Sequence, residues 1–407
     1  MIDDHTEMLL SHLRERVADV ISPLYNTDFN LLRWLQGFNY DLEKTAPKLR
    51  HHLVFRQCCW KLDQLPSERN CLTHKYWQWG LTGRSGRDNT LVYVEQTGRE
   101  DVDGLLQSAS FPELLHSRML DYERMLRHVM HQEHLTGEQW GVTLILDLDG
   151  LTFGPSLLKH VTGPLKSMVA MQSDHYVELL SQIIVVNAPF FMHRVWSLVQ
   201  PFMPDKTRAK VRILGSNWRQ DILDLAEPSV LPCRWNKGTY TDFCFDLPFV
   251  QSVPRSAYWK NTKLGPRSKT LWVAAGCCEL VNVQIEKPRT KFNFGFQAYG
   301  DFGFGVFYAD NEAETNVDRL EMVYPQFLRL AGPMPLPIID QFLCERAGLY
   351  KMWFSNKHGW WGSLKVEYFL ELNTDIFRHF SQDSRQTGAK VKLSKKTSAP
   401  PAICSFD

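Results

Sequence analysis

A short apolar run, Ile183-Ile184-Val185-Val186, leads directly into the turn Asn187-Ala188-Pro189. A second run of the same kind covers residues 142–146, and a helix-like stretch at 111–134 precedes it. Continuous apolar strands that alternate with helices are typical of a mostly parallel sheet covered on both faces. The sequence therefore predicts an α/β region over residues 75–247.

The pattern changes on both sides of this region. Before it, either Thr27 or Asp28 is placed to cap one short amphipathic helix, and Asp41 is placed to cap another. After it, Phe292, Phe294 and Phe296 alternate with polar or small residues, which is typical of an antiparallel β-sandwich. The predicted organisation is a helical subdomain at 1–74, the α/β region at 75–247, a Pro-punctuated linker at 248–268, a β-sandwich at 269–373 and a basic, disordered tail at 374–407.

Composition excludes several classes of function. The chain has 407 residues, and its 46 Lys and Arg nearly cancel its 45 Asp and Glu, so no chain-wide positive charge favours nucleic acid. Nine cysteines without a Cys-x-x-Cys pair fit neither a disulfide framework nor a zinc site. The polar start and the lack of a long apolar stretch indicate a cytoplasmic protein. Aromatic residues reach 12%, which two ordinary cores do not obviously require.

Two motifs suggest a catalytic or metal-binding role, and each has a simpler structural interpretation. Asp147-Leu148-Asp149-Gly150 follows a strand, as in haloacid-dehalogenase phosphatases, but a turn at the end of the strand is favoured. His128, His131 and His134 are spaced to share a helix face, although solvated histidines explain them equally well. We expect no enzyme, no catalytic residue, no metal and no cofactor.

The segment at 190–203 is apolar over much of its helical circumference and is flanked by prolines. Such a helix is either fully buried or covers an apolar cavity. Its large apolar residues are Phe190, Phe191, Val195, Leu198 and Phe202.

A set of ordered motifs runs through the α/β region and its flanks. It consists of Leu31-Leu32-Arg33-Trp34-Leu35, Tyr176-Val177-Glu178, Val185-Val186-Asn187-Ala188-Pro189, Thr207, Lys210, Ile213-Leu214-Gly215-Ser216-Asn217-Trp218, Leu231-Pro232 and Gly303-Phe304-Gly305-Val306-Phe307. This order resembles the CRAL-TRIO lipid-binding and lipid-transfer family, of the supernatant protein factor type with a C-terminal GOLD domain.

The resemblance implies an α/β lipid pocket over a mostly parallel sheet, with an N-terminal helical cap and an all-β, GOLD-like sandwich. It implies a non-enzymatic carrier that binds one lipid and transfers it between membranes during transient peripheral contact. The five apolar residues at 190–203 then correspond to the gate of the pocket. In inositol-lipid binders of the family, the residues that match Glu178, Thr207 and Lys210 contact the head group, although an ordinary salt bridge also explains Glu178 and Lys210.

Departures from the family pattern leave the lipid open. Phe38 and Asn39 stand at positions that are usually basic, and Val177 replaces a proline. The candidates are therefore a phospholipid, a phosphoinositide, or a neutral isoprenoid such as tocopherol. The alternative function is a lipid-sensing adaptor whose GOLD-like domain recruits a membrane-trafficking protein. Trp360-Trp361 could contact a membrane or a partner, but packing within the sandwich is favoured.

Overall fold

A computed structural model describes residues 2–64, 72–77, 79–238, 242–260, 264–334, 336–359 and 362–373. Trp360, Trp361 and the predicted basic tail at 374–407 lie outside these residues. The domain boundaries drawn from the sequence remain predictions.

The chain begins with three helices, α1 (Asp4–Arg16), α2 (Asp28–Gly37) and α3 (Leu42–Gln57). Thr27 Oγ1 accepts a hydrogen bond from the backbone N–H of Asn30 at 3.2 Å, and Asp41 Oδ1 accepts one from Lys44 at 3.1 Å. These side chains satisfy donors that a helix start leaves unpaired, so the predicted cap at Asp41 is confirmed, and Thr27 is the one of the two predicted candidates that caps α2.

A five-stranded sheet lies at the centre of the α/β region, in the order β1-β2-β3-β4-β5. Strands β2 to β5 run parallel, and β1 pairs with β2 antiparallel. The elements are α4 (Leu72–Tyr76), β1 (Trp79–Arg84), β2 (Thr90–Glu95), α5 (Val102–Ser108), α6 (Phe111–Thr136), β3 (Gly141–Asp147), α7 (Pro155–His160), α8 (Lys166–His175), β4 (Leu180–Val186), α9 (Met192–Val199), α10 (Asp205–Ala209), β5 (Val211–Ile213) and α11 (Trp218–Asp221).

The strands are apolar on both sides because the sheet has a core on each face. Leu144 and Ile183 join the core that contains α6, whereas Ile145 and Ile184 join a second core with Trp218. Successive side chains of a strand point to opposite faces, so a continuous apolar run fits only a sheet that is covered twice. The predicted parallel α/β layer is therefore confirmed.

The predicted helix at 190–203 is shorter and less buried than the pattern indicated. The α-helical part is α9, and a single 3-10 turn, Gln200–Phe202, follows it. Pro201 lacks a backbone N–H and cannot continue the ladder of α-helical hydrogen bonds. Between α7 and α8 a π-helical segment, Val161–Leu165, contains Pro164.

The C-terminal region is an antiparallel sandwich of two four-stranded sheets, β10-β9-β12-β7 and β11-β8-β13-β6. Its strands are β6 (Lys269–Val273), β7 (Cys278–Ile285), β8 (Thr290–Ala298), β9 (Phe302–Ala309), β10 (Glu321–Leu330), β11 (Ile338–Cys344), β12 (Gly348–Ser355) and β13 (Leu364–Asn373). Phe292, Phe294 and Phe296 are fully buried between the sheets. The predicted β-sandwich is confirmed, and its core absorbs a large share of the aromatic residues.

The sandwich contacts the rest of the chain through the edge strand β10 and through α8. Just after α3, the backbone N–H of Cys59 donates to the carbonyl of Val323 at 3.0 Å. Next to α8, the backbone N–H of Ala331 donates to Ser167 Oγ at 2.9 Å. These bonds pair the carbonyl of Val323 and the N–H of Ala331, which lie at the margin of the sandwich, and they hold the sandwich against the helices.

Candidate functional site

Glu178 and Lys210 lie at neighbouring strand starts, immediately before β4 and β5. Lys210 Nζ is 2.7 Å from Glu178 Oε2 and also donates to the carbonyl of Leu180 at 2.8 Å. Both side chains of the ion pair are partly exposed. Glu178 has a φ of +55°, a left-handed conformation that costs energy for a residue with a side chain. The structure thus brings two of the three predicted head-group residues into contact.

The third residue, Thr207, lies in α10 one turn before Lys210. Its carbonyl accepts the backbone N–H of Lys210 at 3.1 Å. Lys206, which the sequence did not single out, donates from Nζ to the carbonyl of Gln36 at 2.7 Å. We call Glu178, Lys206, Thr207 and Lys210 the headgroup cluster.

The turn that departs from the family pattern packs against this cluster. A Cβ on Gly37 would lie 2.1 Å from Val177 Cγ1, so only glycine fits there. The amides of Gln36 and Gln139 hydrogen-bond to each other at 2.9 Å in both directions, which anchors the turn to the end of α6. Lys206 therefore places an ammonium group on the turn that lacks the usual basic residues. Its contact joins residues far apart in sequence, so no local pattern could reveal it.

The structure separates the five predicted gate residues. Phe191 and Val195 are buried against Leu157 of α7 and Val161 of the π-helical segment that follows it, and we call these two elements together the α7 segment. Phe190 is 92% exposed and Leu198 is 39% exposed. The side chain of Phe202 lies outside the described residues. Full burial of this helix, one of the two predicted possibilities, is wrong, because one side packs on α7 and the other faces solvent.

A small internal space lies beside His160 at the end of α7. A cavity of about 10 Å³, room for one water, lies between Trp77, Glu100 and His160. Burial raises the pKa of Glu100 well above its usual value, and Glu95 nearby adds to the effect. The guanidinium of Arg118 lies 3.8 Å from the ring centroid of Trp77. This part of the interior thus contains ionisable groups that a pocket for lipid chains alone would not require.

Asp147 has a structural role. Its Oδ1 accepts hydrogen bonds from Asn187 and from the backbone of Asp149, and its Oδ2 accepts bonds from Arg234 and Trp235, all between 2.8 and 3.0 Å. A carboxylate saturated in this way ties strand ends together and has no lone pair left for attack on phosphorus. This arrangement agrees with the predicted turn.

The histidines of α6 are not arranged as metal ligands. His128 Nδ1 lies 2.6 Å from the Tyr93 hydroxyl. Within the described residues, no group of three or more His, Cys, Asp or Glu side chains is placed to hold a metal ion. In the same part of the chain, no helix has both the length and the apolar character needed to cross a membrane.

A much larger cavity, of about 760 Å³, lies where the end of α3 and the start of α6 face the sandwich. Trp60, Trp259 and Phe342 are among its walls. None of its residues was predicted as a site, because the cavity forms only where separate regions of the chain meet.

Residues 75–236 match the model of the CRAL/TRIO domain. The chain is 30% identical over 374 residues to CRAL-TRIO domain-containing protein F28H7.8 of Caenorhabditis elegans, covering 88% of each chain. The chain belongs to the CRAL-TRIO family. These matches confirm the CRAL-TRIO part of the resemblance. Residues 2–65 match a domain of unknown function, and residues 257–376 match an "F28H7_8_C-like, C-terminal domain".

Other matches are more distant. Protein ctg-1 of Caenorhabditis elegans is 22% identical over 356 residues, covering 85% of this chain and 91% of that protein. Phosphatidylinositol/phosphatidylcholine transfer protein SFH9 of Arabidopsis thaliana is 24% identical over 293 residues, covering 65% of this chain and 48% of that protein. The crystal structure of Sfh5 aligns with a TM-score of 0.42 and 16% identity, over 53% of this chain and 81% of that one.

Gly37→Ala should destabilise the protein by about 1–3 kcal/mol, because the added methyl group overlaps Val177. Urea unfolding measures the change. Gly163→Ala is the matched control, since a Cβ there meets open space in a helical segment. Equal stability of the two variants would contradict the close packing of Gly37.

His160→Gln should reduce the pH dependence of stability. Burial lowers the pKa of His160 to about 4, so between there and pH 6.5 the unfolded chain binds a proton that the folded chain does not. The free energy of unfolding therefore falls as the pH falls through this window. Between pH 7 and pH 5 the substitution should remove about 2 kcal/mol of that loss in urea titrations. The exposed His131→Gln is the control, and an unchanged slope for H160Q would contradict the burial of His160.

Proposed function

We propose that this CRAL-TRIO protein binds one phosphate-bearing lipid and transfers it between membranes without a chemical reaction. The headgroup cluster carries the proposal. Lys210 is balanced by Glu178, so Lys206 leaves the cluster with an excess positive charge. Arg208 does not add to it, because Asp205 pairs with it at 2.5 Å. This excess favours an anionic head group over a neutral isoprenoid.

The chemistry of the cluster suits an inositol or related hydroxylated phosphate. An ammonium group attracts phosphate as a point charge, and a carboxylate accepts hydrogen bonds from hydroxyl groups. Lys206 would replace in space the positive charge that Phe38 and Asn39 lack. The printed name of SFH9, a phosphatidylinositol/phosphatidylcholine transfer protein, supports the same class of lipid.

The gate supports reversible binding. Phe191 and Val195 hold α9 on the α7 segment through apolar contacts, without an ion pair within the described gate. If α9 moves away, lipid chains can enter, and each buried CH₂ contributes about 0.8 kcal/mol to binding. Phe190 is already exposed, and aromatic side chains favour the membrane interface. We therefore expect transient contact with a membrane at this end of the protein.

An adaptor that senses lipid is the second candidate, and the contact between α8 and the sandwich favours it. Lys166 Nζ lies 2.9 Å from Asp301, and Ser167 accepts the backbone N–H of Ala331. If α7 and α8 shift on lipid binding, Lys166 and Ser167 shift with them, and their contacts would transmit the movement to the sandwich. The GOLD-like identity of the sandwich and its recruitment of a trafficking protein remain part of this proposal.

Lys210→Ala and Lys206→Ala should each reduce transfer of phosphatidylinositol between vesicles about tenfold or more, because each removes a charge-assisted contact to phosphate. Binding of tocopherol should change little. Arg208→Ala is the matched control on the same helix and should transfer normally. Equal loss of both lipids would indicate general destabilisation and contradict the head-group role.

Purified protein should also carry a co-purifying lipid, which solvent extraction and mass spectrometry would identify. A phospholipid supports the proposal, whereas a neutral isoprenoid contradicts the phosphate preference. Protein without lipid that also fails to exchange lipid between vesicles would overturn the carrier function and favour the adaptor.

A further inference from the structure

The cavity between the helices and the sandwich, which we call the interface cavity, has the size of a small-molecule site. Its volume of about 760 Å³ lies within the range of roughly 300–1,000 Å³ that is usual for ligand pockets. The small cavity beneath the gate holds only about 10 Å³. The interface cavity is therefore the larger of these two spaces, and it is separate from the headgroup cluster and the gate.

Its aromatic walls are held in place by other contacts. Trp60 stacks on His116, with 4.7 Å between ring centroids and an angle of 19° between the planes. Trp259 donates from its indole N–H to the carbonyl of Ser108 at 3.0 Å. Phe294 and Phe342 are buried in the sandwich and line the same space. Flat, fixed walls of this kind suit a ligand with rings.

Several polar groups line the cavity. Burial lowers the pKa of His116 to about 4, so its imidazole is neutral at neutral pH. A hydrogen bond with Cys58 and burial raise the pKa of the Cys59 thiol. Asp340 accepts the Tyr324 hydroxyl at 2.6 Å, and burial raises the pKa of that carboxyl. These groups offer hydrogen bonds to a polar group of a ligand.

Four charged residues of the cavity pair at its margin, and Glu113 and Asp340 also line it. Lys61 Nζ lies 3.8 Å from Glu345, across the gap between the end of α3 and the sandwich. Arg346 forms an ion pair with Glu321. A charged ligand would compete with these pairs and would have to give up water, which is costly.

We propose that the interface cavity is a second ligand site, for an uncharged amphiphile with a ring system and one hydroxyl or carbonyl group, such as a sterol. The rings lie between Trp60 and Phe342, and the polar group hydrogen-bonds to His116 or Asp340. This site differs from the proposed phospholipid site in position and in ligand class. A ligand there contacts the helices and the sandwich together.

A photoactivatable cholesterol analogue tests the site on the full chain. After irradiation, mass spectrometry of peptides should find the label within residues 57–61 and 339–343, and excess cholesterol should compete it away. Label confined to α7 and α9 would overturn this inference while supporting a lipid pocket under the gate. Absence of any label that cholesterol competes would overturn it as well.

Gln341→Phe provides a second test, because Gln341 lines the cavity and is exposed, so a larger side chain can fill the space without entering the core. Cholesterol binding should weaken at least tenfold, and phosphatidylinositol transfer should be unchanged. Glu279→Phe, at an exposed position on β7 in the other sheet, is the matched control and should bind cholesterol normally. Equal binding by Q341F and E279F would overturn the assignment.

Discussion

A buried ion pair between Arg56 and Glu123 ties together the parts of the protein on which both sites depend. Glu123 Oε2 accepts a hydrogen bond from Arg56 at 2.8 Å, and Asp63 accepts another at 2.6 Å. The Tyr176 hydroxyl donates to Glu123 at 2.8 Å. Arg56 and Glu123 are almost fully buried, so loss of either would leave an uncompensated charge, at a cost of about 3–5 kcal/mol.

This ion pair helps to position both the interface cavity and the headgroup cluster. Arg56 lies in the last turn of α3, so the pair positions Cys59 and Trp60 at the interface cavity. Tyr176 lies two residues before Glu178, so the same pair positions the headgroup cluster. A second buried pair, Arg33 with Glu133, joins α2 to α6, and Arg33 also donates to the carbonyl of Trp140 at 2.8 Å. Arg33 of the Leu-Leu-Arg motif therefore orients the helical cap and is not available to a lipid phosphate.

Local patterns predicted much of the fold because they depend on neighbours in sequence. The apolar run at 183–186 indicated a strand covered on both faces, and alternation at Phe292, Phe294 and Phe296 indicated one inner face of a sandwich. The helix at 190–203 was predicted too long, since Pro201 ends the α-helical hydrogen bonding. Its burial was also overestimated, because apolar content alone does not say which side meets another element.

For the candidate site, the sequence by itself determined the residue types at Glu178, Thr207 and Lys210 and the apolar strand at 183–186 that lies between them in the chain. Only the tertiary structure decided that Lys206 reaches Gln36, that α9 closes on α7, and that Trp60 and Phe342 face one cavity. The physical reason is the range of the interactions. Secondary structure follows from periodicity within a few residues, whereas a charge balance or a cavity wall depends on side chains that packing brings together from distant parts of the chain.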